Sequence, residues 1–402
     1  MTAAASAGRD GARARRIVLV AGEPSGDRHA AHLATALLAE PALAGVTLCG
    51  VAGPLMRAAG VEPLARMEDV SVVGFTEVLG RLPALLSVRH AIERAIADPR
   101  TALFLPVDFP GMNLPLCRVA HRRHVPVLYY IAPQAWAWGR GRVKALARDV
   151  DRLAVILPFE EEFFRGEGVA ATHVGHPLVE SLAPEQSRAD FLAGLGWAEG
   201  EPYLALLPGS RDQEVARLGP PLLGALTALR RERPGVRAIV AAASPAHRAR
   251  LEAMVPPELA SAGAVAVVDG RTRETLAYAR AAVVASGTAT HECAALGTPL
   301  VIVYRMAGVS YGIARRLVRL PRARFGLANI VAGGDVAPEL LQSAVTPSAI
   351  AGALKPLWDE GPERVRALER LATVRGRLGG PGASARTAAL AAELVAARKV
   401  PA

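Results

Sequence analysis

At 402 residues the chain is longer than a typical single domain, and 51% hydrophobic with 21% charged residues excludes a disordered protein. Its net charge of +10 rests almost wholly on arginine and favours anionic partners such as phosphates, nucleotides or acidic lipid surfaces. Aromatic residues make up only 4%, without a zinc or RNA-binding signature, so we expect no nucleic-acid partner.

The first half alternates short apolar runs with longer helical stretches, a pattern typical of parallel α/β domains. We predict strands at 17–21, 47–51, 101–107, 126–131, 152–156 and 172–174. Helices are predicted at 26–38 and 82–97. Residues 1–16 form a basic segment that we expect to be a flexible leader.

A polar stretch rich in proline, glutamate and glycine, 177–202, predicts a domain boundary, and the alternation restarts after it. Strands are predicted there at 203–207, 237–241, 264–268, 282–285 and 300–304, with closing helices at 362–378 and 384–398. The sequence therefore predicts two similar α/β halves with a cleft between them. Polar residues at the carboxyl ends of strands from both halves are expected to face that cleft, because ligands of open parallel sheets bind there.

The turn Pro208-Gly-Ser-Arg211 follows an apolar strand and opens a helix. Unpaired N–H groups at a helix start attract anions, Gly209 allows close approach, and Arg211 adds a fork of charged donors. Together with Ser210 and Glu214, these residues predict a diphosphate site that needs no metal.

A second strand-to-helix turn begins at Ser286. Ser286, Gly287 and Thr288 offer hydroxyl and N–H groups to a phosphate, and Glu292 could accept both hydroxyls of a ribose. A zinc-protease interpretation of His291-Glu292 fails, because Ala295 stands where the second histidine would be needed.

The loop after the first strand has two interpretations that its spacing does not separate: a polar rim of the cleft, or a simple helix cap at Ser25 or Asp27. The candidate acceptor-side residues in this loop are Gly22, Glu23, Ser25, Gly26 and Asp27. Farther on, Asp108 is placed to take a proton from an attacking hydroxyl, with Asn113 nearby. Aspartate, proline, glycine and asparagine are also common turn residues, so a simple turn explains the segment around Asp108 as well. The residues alone favour this second interpretation.

Two segments could touch a membrane. The apolar run 70–86 is either core or an acyl-chain contact, and the arginine-rich run 310–324 is either a solvated face or a lipid contact. No apolar run reaches the roughly 18 residues that a spanning helix needs. We therefore expect a cytoplasmic protein, with attachment to a membrane surface left open.

Cys49, Cys117 and Cys293 are isolated, so no disulfide, metal or cofactor is expected.

Taken in order, these motifs resemble lipid-A-disaccharide synthase, an inverting glycosyltransferase family, along nearly the whole chain. The matching segments are 21–27, 73–79, 108–113, 132–138 with Arg142-Val143, 157–160, 174–177, 207–215, 285–293, 304–306 and 327–333. The resemblance implies the GT-B fold: a Rossmann-like acceptor and membrane-facing domain at 17–185, a UDP-sugar domain at 200–360, and helices at 361–402 packing back on the first domain.

The resemblance also implies the reaction: UDP-2,3-diacylglucosamine and 2,3-diacylglucosamine 1-phosphate (lipid X) give lipid A disaccharide 1-phosphate and UDP. Asp108 would be the base, Arg211 would stabilise the leaving diphosphate, and Asn329 would contact the donor. Both substrates are lipids, so we expect work at the cytoplasmic face of the inner membrane, with a homodimer left open. The candidate membrane contacts are Val72, Val73, Leu79, Arg315, Arg316 and Arg319.

The chain departs from the family pattern in two places. Pro24 and Arg28-His29 stand in the first loop, where relatives carry a small and an aliphatic residue, and Gly111 stands where many have a second aspartate. The first departure leaves acceptor contacts open, and the second favours Asp108 as the carboxylate that matters. The alternatives are a GT-B transferase or epimerase for a UDP-sugar without acyl chains, and a non-catalytic paralogue that binds lipid or UDP-sugar.

Overall fold

The computed structural model describes residues 14–70, 82–136, 141–305, 326–332 and 334–398. The chain divides into two compact units: Met1–Pro177 together with Gly382–Ala402, and Leu178–Pro381. Of the expected leader, residues 1–13 lie outside the described part, and Arg16 already begins the first strand.

The strands of the first unit are β1 (Arg16–Val20), β2 (Thr47–Ala52), β3 (Glu62–Arg66), β4 (Thr101–Pro106), β5 (Leu128–Tyr130), β6 (Arg152–Val155) and β7 (Ala171–His173). Its helices before the boundary are α1 (Pro24–Ala39), α2 (Pro54–Ala58), α3 (Met67–Val70), α4 (Leu82–Ala97), α5 (Pro110–Arg122), α6 (Gly141–Asp149) and α7 (Pro158–Gly166).

These strands form one parallel sheet in the order β3-β2-β1-β4-β5-β6-β7, since the bridges Phe104–Val127 and Val107–Tyr130 join its two parts. Alternate residues of β1 enter different cores: Val18 and Val20 lie in one, Ile17 and Leu19 in the other. A sheet buried on both faces explains why these strands are continuous apolar runs.

The second unit contains β8 (Tyr203–Leu207), β9 (Arg237–Ala242), β10 (Val265–Asp269), β11 (Ala281–Ala285), β12 (Leu300–Tyr304) and β13 (Glu339–Leu341). Its helices are α8 (Arg188–Ala193), α9 (Asp212–Glu232), α10 (Pro245–Glu252), α11 (Pro257–Ser261), α12 (Thr272–Ala277), α13 (Thr288–Leu296), α14 (Leu327–Ala332), α15 (Pro347–Trp358) and α16 (Pro362–Leu378). The strands are parallel in the order β10-β9-β8-β11-β12-β13, the 3-2-1-4-5-6 order of a Rossmann fold.

The sequence analysis did not predict two edge strands, β3 and β13, and the structure gives a physical reason for each. Strand β3 is Glu-Pro-Leu-Ala-Arg and has no fully buried residue, and its proline is tolerated because it lies at an edge of the sheet. Strand β13 has only three residues, all half-buried, at the edge of the other sheet. Both positions lack the apolar pattern that identifies central strands.

The unit boundary differs from the predicted one. Residues 178–199 belong to the second unit, because Phe191, Leu192 and Trp197 pack in one core cluster with Tyr203. The final helices also separate: α16 packs with α13, α14 and α15, whereas α17 (Ala383–Ala397) packs with α1. Of the segment 361–402, the described part after residue 381 alone therefore belongs to the first unit.

Candidate functional site

Each sheet has a topological switch point, where the strand order reverses. It lies between β1 and β4 in the first unit and between β8 and β11 in the second. Loops that follow such strands form the ligand-binding crevice of open α/β sheets. The four predicted polar loops, at 22–27, 108–113, 208–211 and 286–288, follow those four strands. Topology thus gives a physical reason to treat the pair of loops in each unit as a candidate site.

The first loop packs directly against the turn after β4. A Cβ at Gly22 would lie 2.3 Å from the Phe109 ring, so only glycine fits there. Helix α1 begins at Pro24, in the first helical turn, where the missing N–H and fixed φ of proline are tolerated. The Pro24 departure therefore fits the fold. Glu23 is exposed and Ser25 half-buried, so both side chains remain near solvent.

Asp27 is a helix cap, but it caps a different helix from the one expected. Its Oδ2 accepts the Leu55 N–H at 3.0 Å and its Oδ1 accepts the Met56 N–H at 3.0 Å. Both donors belong to the first turn of α2, and the Asp27 side chain is only 2% exposed. A Cβ at Gly53 would lie 2.3 Å from the Asp27 carboxyl carbon, so Gly53 makes room for this cap.

Replacing Asp27 by alanine is expected to lower the free energy of unfolding by about 2 kcal/mol, because two helix N–H groups lose their charged acceptor. Urea denaturation followed by circular dichroism measures the change. Glu162→Ala, at an exposed position of α7, is the control and should leave the midpoint unchanged. An unchanged midpoint for Asp27→Ala would contradict the capping role.

Asp108 has a strained backbone that the surrounding fold holds in place. Its φ is +47° and that of Phe109 is +49°, two consecutive non-glycine residues in the left-handed region. Three hydrogen bonds hold the turn: Asp108 N–H donates to the Tyr130 carbonyl at 2.9 Å, and the Asp108 carbonyl accepts from Tyr129 Oη at 2.7 Å and Asn113 Nδ2 at 2.6 Å. Such strain costs about 1–3 kcal/mol per residue and clusters at functional sites.

The Asp108 carboxyl group is electrostatically poised to accept a proton. Burial raises its pKa to about 6, and the negative charge of Glu23 adds to the rise. The Phe109 backbone N–H and the positive charge of Arg142 oppose it. Above that pH the group is mainly ionised, yet it is more basic than an ordinary aspartate. Such a balance suits a general base near neutral pH.

Asn113 supports this turn from inside the protein. Its side chain is fully buried, and Nδ2 also points to the carbonyls of Val20 and Val107, each at 3.4 Å. Gly111, in contrast, is exposed, and a Cβ added there would meet nothing within 4 Å. The family's second aspartate would therefore fit at this position without a clash.

In the second unit, the Pro-Gly-Ser-Arg turn is capped by its own helix. Glu214 Oε2 accepts the Ser210 N–H at 3.0 Å and the Arg211 N–H at 3.3 Å, and Glu214 Oε1 accepts from Arg211 Nη1 at 2.9 Å. Gly209 has φ +110°, which glycine alone adopts easily. An anion at these N–H groups must compete with Glu214. The Arg211 side chain is 73% exposed and remains accessible to a ligand.

Among the described residues, no side chain caps the helix start at Gly287 in this way. Helix α13 begins at Thr288 with Gly287 as its N-cap residue, and both are exposed. Ser286 is half-buried at the end of β11, and Glu292 lies one turn into the helix, 8% exposed. Of the two helix starts at this switch point, α13 therefore offers the N–H groups that a diphosphate can reach more directly.

Asn329 is buried and its side chain is used within the protein. Oδ1 accepts the N–H groups of Val336 and Ala337 at 2.8 and 2.9 Å. Nδ2 donates to the Ala337 carbonyl at 2.8 Å and to Glu339 Oε1 at 2.7 Å. These four bonds tie α14 to β13, so any effect of Asn329 on a ligand acts through the chain that it positions.

The candidate membrane residues Val72, Val73, Leu79, Arg315, Arg316 and Arg319 lie outside the described residues. Across the part of the chain that the structure describes, no helix is long and apolar enough to cross a membrane. Within the same residues, no cluster of three or more histidine, cysteine or acidic side chains could hold a metal ion.

The predicted site residues did not include three side chains that the structure places near these loops. Trp136 and Glu160 follow β5 and β6 and bond to each other, with Trp136 Nε1 donating to Glu160 Oε1 at 3.1 Å. His247 Nε2 lies 2.9 Å from Oδ1 of Asp212, the first residue of α9. The segments around Trp136 and Glu160 carried a signal, since both lie in motifs of the family resemblance.

Solved structures of the same architecture define a class. UDP-GlcNAc 2-epimerase from Neisseria meningitidis, bound to UDP-GlcNAc, aligns with a TM-score of 0.61 at 11% identity and covers 92% of this chain and 97% of that one. MurG from Acinetobacter baumannii aligns with a TM-score of 0.58 at 16% identity, covering 94% and 99%. The fold is that of GT-B glycosyltransferases and epimerases.

Sequence comparison narrows this class to one family. A family model described as lipid-A-disaccharide synthetase matches residues 17–388. The lipid-A-disaccharide synthase of Myxococcus xanthus (strain DK1622) is 41% identical over 380 residues, 94% of this chain and 97% of that protein. That of Syntrophus aciditrophicus (strain SB) is 40% identical over 382 residues, again 94% and 97%. The chain belongs to the lipid-A-disaccharide synthase family, whose members are glycosyltransferases of lipid A biosynthesis.

Proposed function

We propose that this protein transfers 2,3-diacylglucosamine from its UDP derivative to the 6-hydroxyl of 2,3-diacylglucosamine 1-phosphate. The acceptor oxygen forms a bond to the anomeric carbon as the bond from that carbon to the diphosphate breaks. The acceptor proton leaves with a base, and the products are lipid A disaccharide 1-phosphate and UDP. One displacement of this kind inverts the configuration at the anomeric carbon.

The observation that carries the proposal is the state of Asp108. A half-buried carboxyl group with a raised pKa, held on a strained turn at the switch point of the first unit, has the properties of a general base. Asn113 and Tyr129 fix the turn and do not compete for the carboxylate, because both bond to the Asp108 carbonyl oxygen. Gly22, Glu23, Ser25 and Gly26 form the adjacent acceptor-side loop, with Asp27 supporting it.

The second unit is proposed to hold the UDP-sugar. Negative charge develops on the departing diphosphate, and donors fixed before the reaction stabilise it at little reorganisation cost. The start of α13, with half-buried Ser286 and exposed Gly287 and Thr288, supplies those donors together with the accessible Arg211. Gly209 and Ser210 shape the turn, Glu292 is proposed to hold the ribose hydroxyls, and Asn329 acts through the segment that it positions. No cofactor or metal enters this scheme.

A transfer assay with radiolabelled diacylated donor and lipid X, in several detergents, tests the reaction. Formation of the tetra-acylated disaccharide is the expected result. UDP-N-acetylglucosamine serves as the parallel substrate, because epimerases share the fold. Turnover or epimerisation of that sugar, with no disaccharide from the acylated pair, would favour the alternative enzyme. Binding without any turnover would favour a non-catalytic paralogue.

We further propose that the protein works at the cytoplasmic face of the inner membrane, with the option of a homodimer. Replacing Val72, Val73 and Leu79 by serine is expected to reduce sedimentation with anionic liposomes, because apolar area would be lost from the contact. Reversing Arg315, Arg316 and Arg319 to glutamate should reduce it in a salt-dependent way. Unchanged sedimentation of either variant would remove that segment from the proposal.

A further inference from the structure

Glu160 is a buried acid that the proposed reaction does not yet use. It is 2% exposed, and both carboxylate oxygens are occupied: Oε1 accepts from Trp136 Nε1 and Oε2 from the Leu157 N–H, each at 3.1 Å. The Leu157 bond belongs to an ordinary capping box at the start of α7. Capping alone explains neither the burial of Glu160 nor its bond with Trp136, since glutamates that cap helices are usually solvent-exposed.

The Trp136 bond connects the two loops that follow β5 and β6, at the carboxyl-terminal ends of strands in the sheet that carries Asp108. The segment 131–136 follows β5, whose last residue, Tyr130, accepts the Asp108 N–H. Glu160 lies in the first turn of α7, which follows the neighbouring strand β6. The Trp136 ring also meets the Phe159 ring edge-on, with centroids 5.1 Å apart. The segment after β5 is thus fixed at one end by Asp108 and at the other by Glu160.

We propose that Glu160 is a positioning residue for the transfer reaction, which through Trp136 holds the segment after β5 in register with Asp108. This inference rests on the proposed role of Asp108 as the base. Glu160 touches no reacting atom in this scheme. It fixes the position of the segment 131–136 relative to Asp108. This position matters because small displacements of reacting groups reduce rates strongly.

The pKa values of the two acids differ, and so do the groups that set them. The charged groups that act on Asp108 are Glu23 from the loop before α1 and Arg142 from α6. The Tyr129 phenol, from β5, stays neutral because burial raises its pKa. Burial likewise raises the pKa of Glu160 to about 7, against the Trp136 and backbone donors, and the charge of Asp108 adds to the rise. Near pH 6, where Asp108 takes up its proton, Glu160 is therefore mainly neutral and acts on Asp108 through the Trp136 bond and not through its charge.

Two conservative variants test this role. Trp136→Phe keeps the ring and removes the donor, so kcat should fall roughly tenfold with the Kd for UDP unchanged. Glu160→Gln keeps one acceptor oxygen for Trp136 but loses the second acceptor for the Leu157 N–H, so kcat should fall less than in Trp136→Phe and the acidic limb of the kcat profile should stay in place. Glu162→Gln, at an exposed site on the same helix, is the control and should change neither.

The inference is overturned if both variants lower Tm while kcat stays at the wild-type value, because Glu160 would then be a cap alone. Its failure is distinguishable from failure of the proposed function. Full activity of Asp108→Asn would dismiss the base itself, whereas an inactive Asp108→Asn beside unaffected Glu160 and Trp136 variants would dismiss this inference alone.

Discussion

Asp108→Asn is expected to reduce kcat by roughly a hundredfold to ten-thousandfold, the usual contribution of a general base. Asparagine has nearly the same shape, and the turn's hydrogen bonds use the main chain of residue 108, so the fold should survive. Steady-state transfer kinetics, with Tm and UDP affinity measured in parallel, check this. Loss of activity with both other quantities unchanged would locate the defect in the chemical step.

The pH profile of the wild type gives an independent check. Because burial raises the pKa of Asp108 to about 6, activity should fall as the pH drops through that value and the base becomes protonated. Glu23→Gln removes a neighbouring negative charge and should move this limb to lower pH. Glu162→Gln, at an exposed position of α7, removes a charge that is not among those acting on Asp108 and should leave the limb in place. A limb that persists in residual Asp108→Asn activity would assign it to another group.

Arg211→Ala is expected to reduce kcat by roughly a hundredfold to a thousandfold, the cost of removing one donor that stabilises developing negative charge. Its KM for the UDP-sugar should rise as well, since an exposed guanidinium that binds the ground-state diphosphate contributes to affinity. Arg211→Lys should lie between wild type and alanine, because lysine keeps the charge but not the bidentate fork.

Calorimetric titration with UDP and transfer kinetics measure the two effects separately. Arg231→Ala, exposed in the last turn of the same helix, is the matched control for loss of one positive charge. If Arg211→Ala and Arg231→Ala behave alike, Arg211 contributes only to the general field of a basic protein. The N–H groups at the start of α13 would then have to stabilise the leaving diphosphate without Arg211.

Much of the fold was predictable because its central strands are buried on both faces. Such strands are short continuous apolar runs, and the predictions at 203–207 and 300–304 agree with β8 and β12 residue by residue. Edge strands β3 and β13 were missed, since half-exposed edges need no apolar run. The predicted end of the first domain, residue 185, lies too far along the chain. The stretch 177–202 is polar overall, although its Phe191, Leu192 and Trp197 pack in a core of the second unit.

Sequence alone determined the family, the two α/β halves and the four loops where polar residues follow strands. Local residue types and motif order carry that information, because strand ends and helix starts are encoded within a few neighbouring positions. Only tertiary structure decided what each side chain does. Asp27 caps a helix 28 residues away, Asn329 closes a loop, and Glu214 occupies N–H groups expected to face the diphosphate.

The same limit explains Asp108 and Glu160. In sequence, the run around Asp108 is indistinguishable from a turn, and Glu160 resembles a surface capping residue. Burial, a strained φ and a bond from a tryptophan 24 positions away give these two acids their properties. Each arises where strands distant in sequence become neighbours in a sheet, so no local pattern could have revealed them.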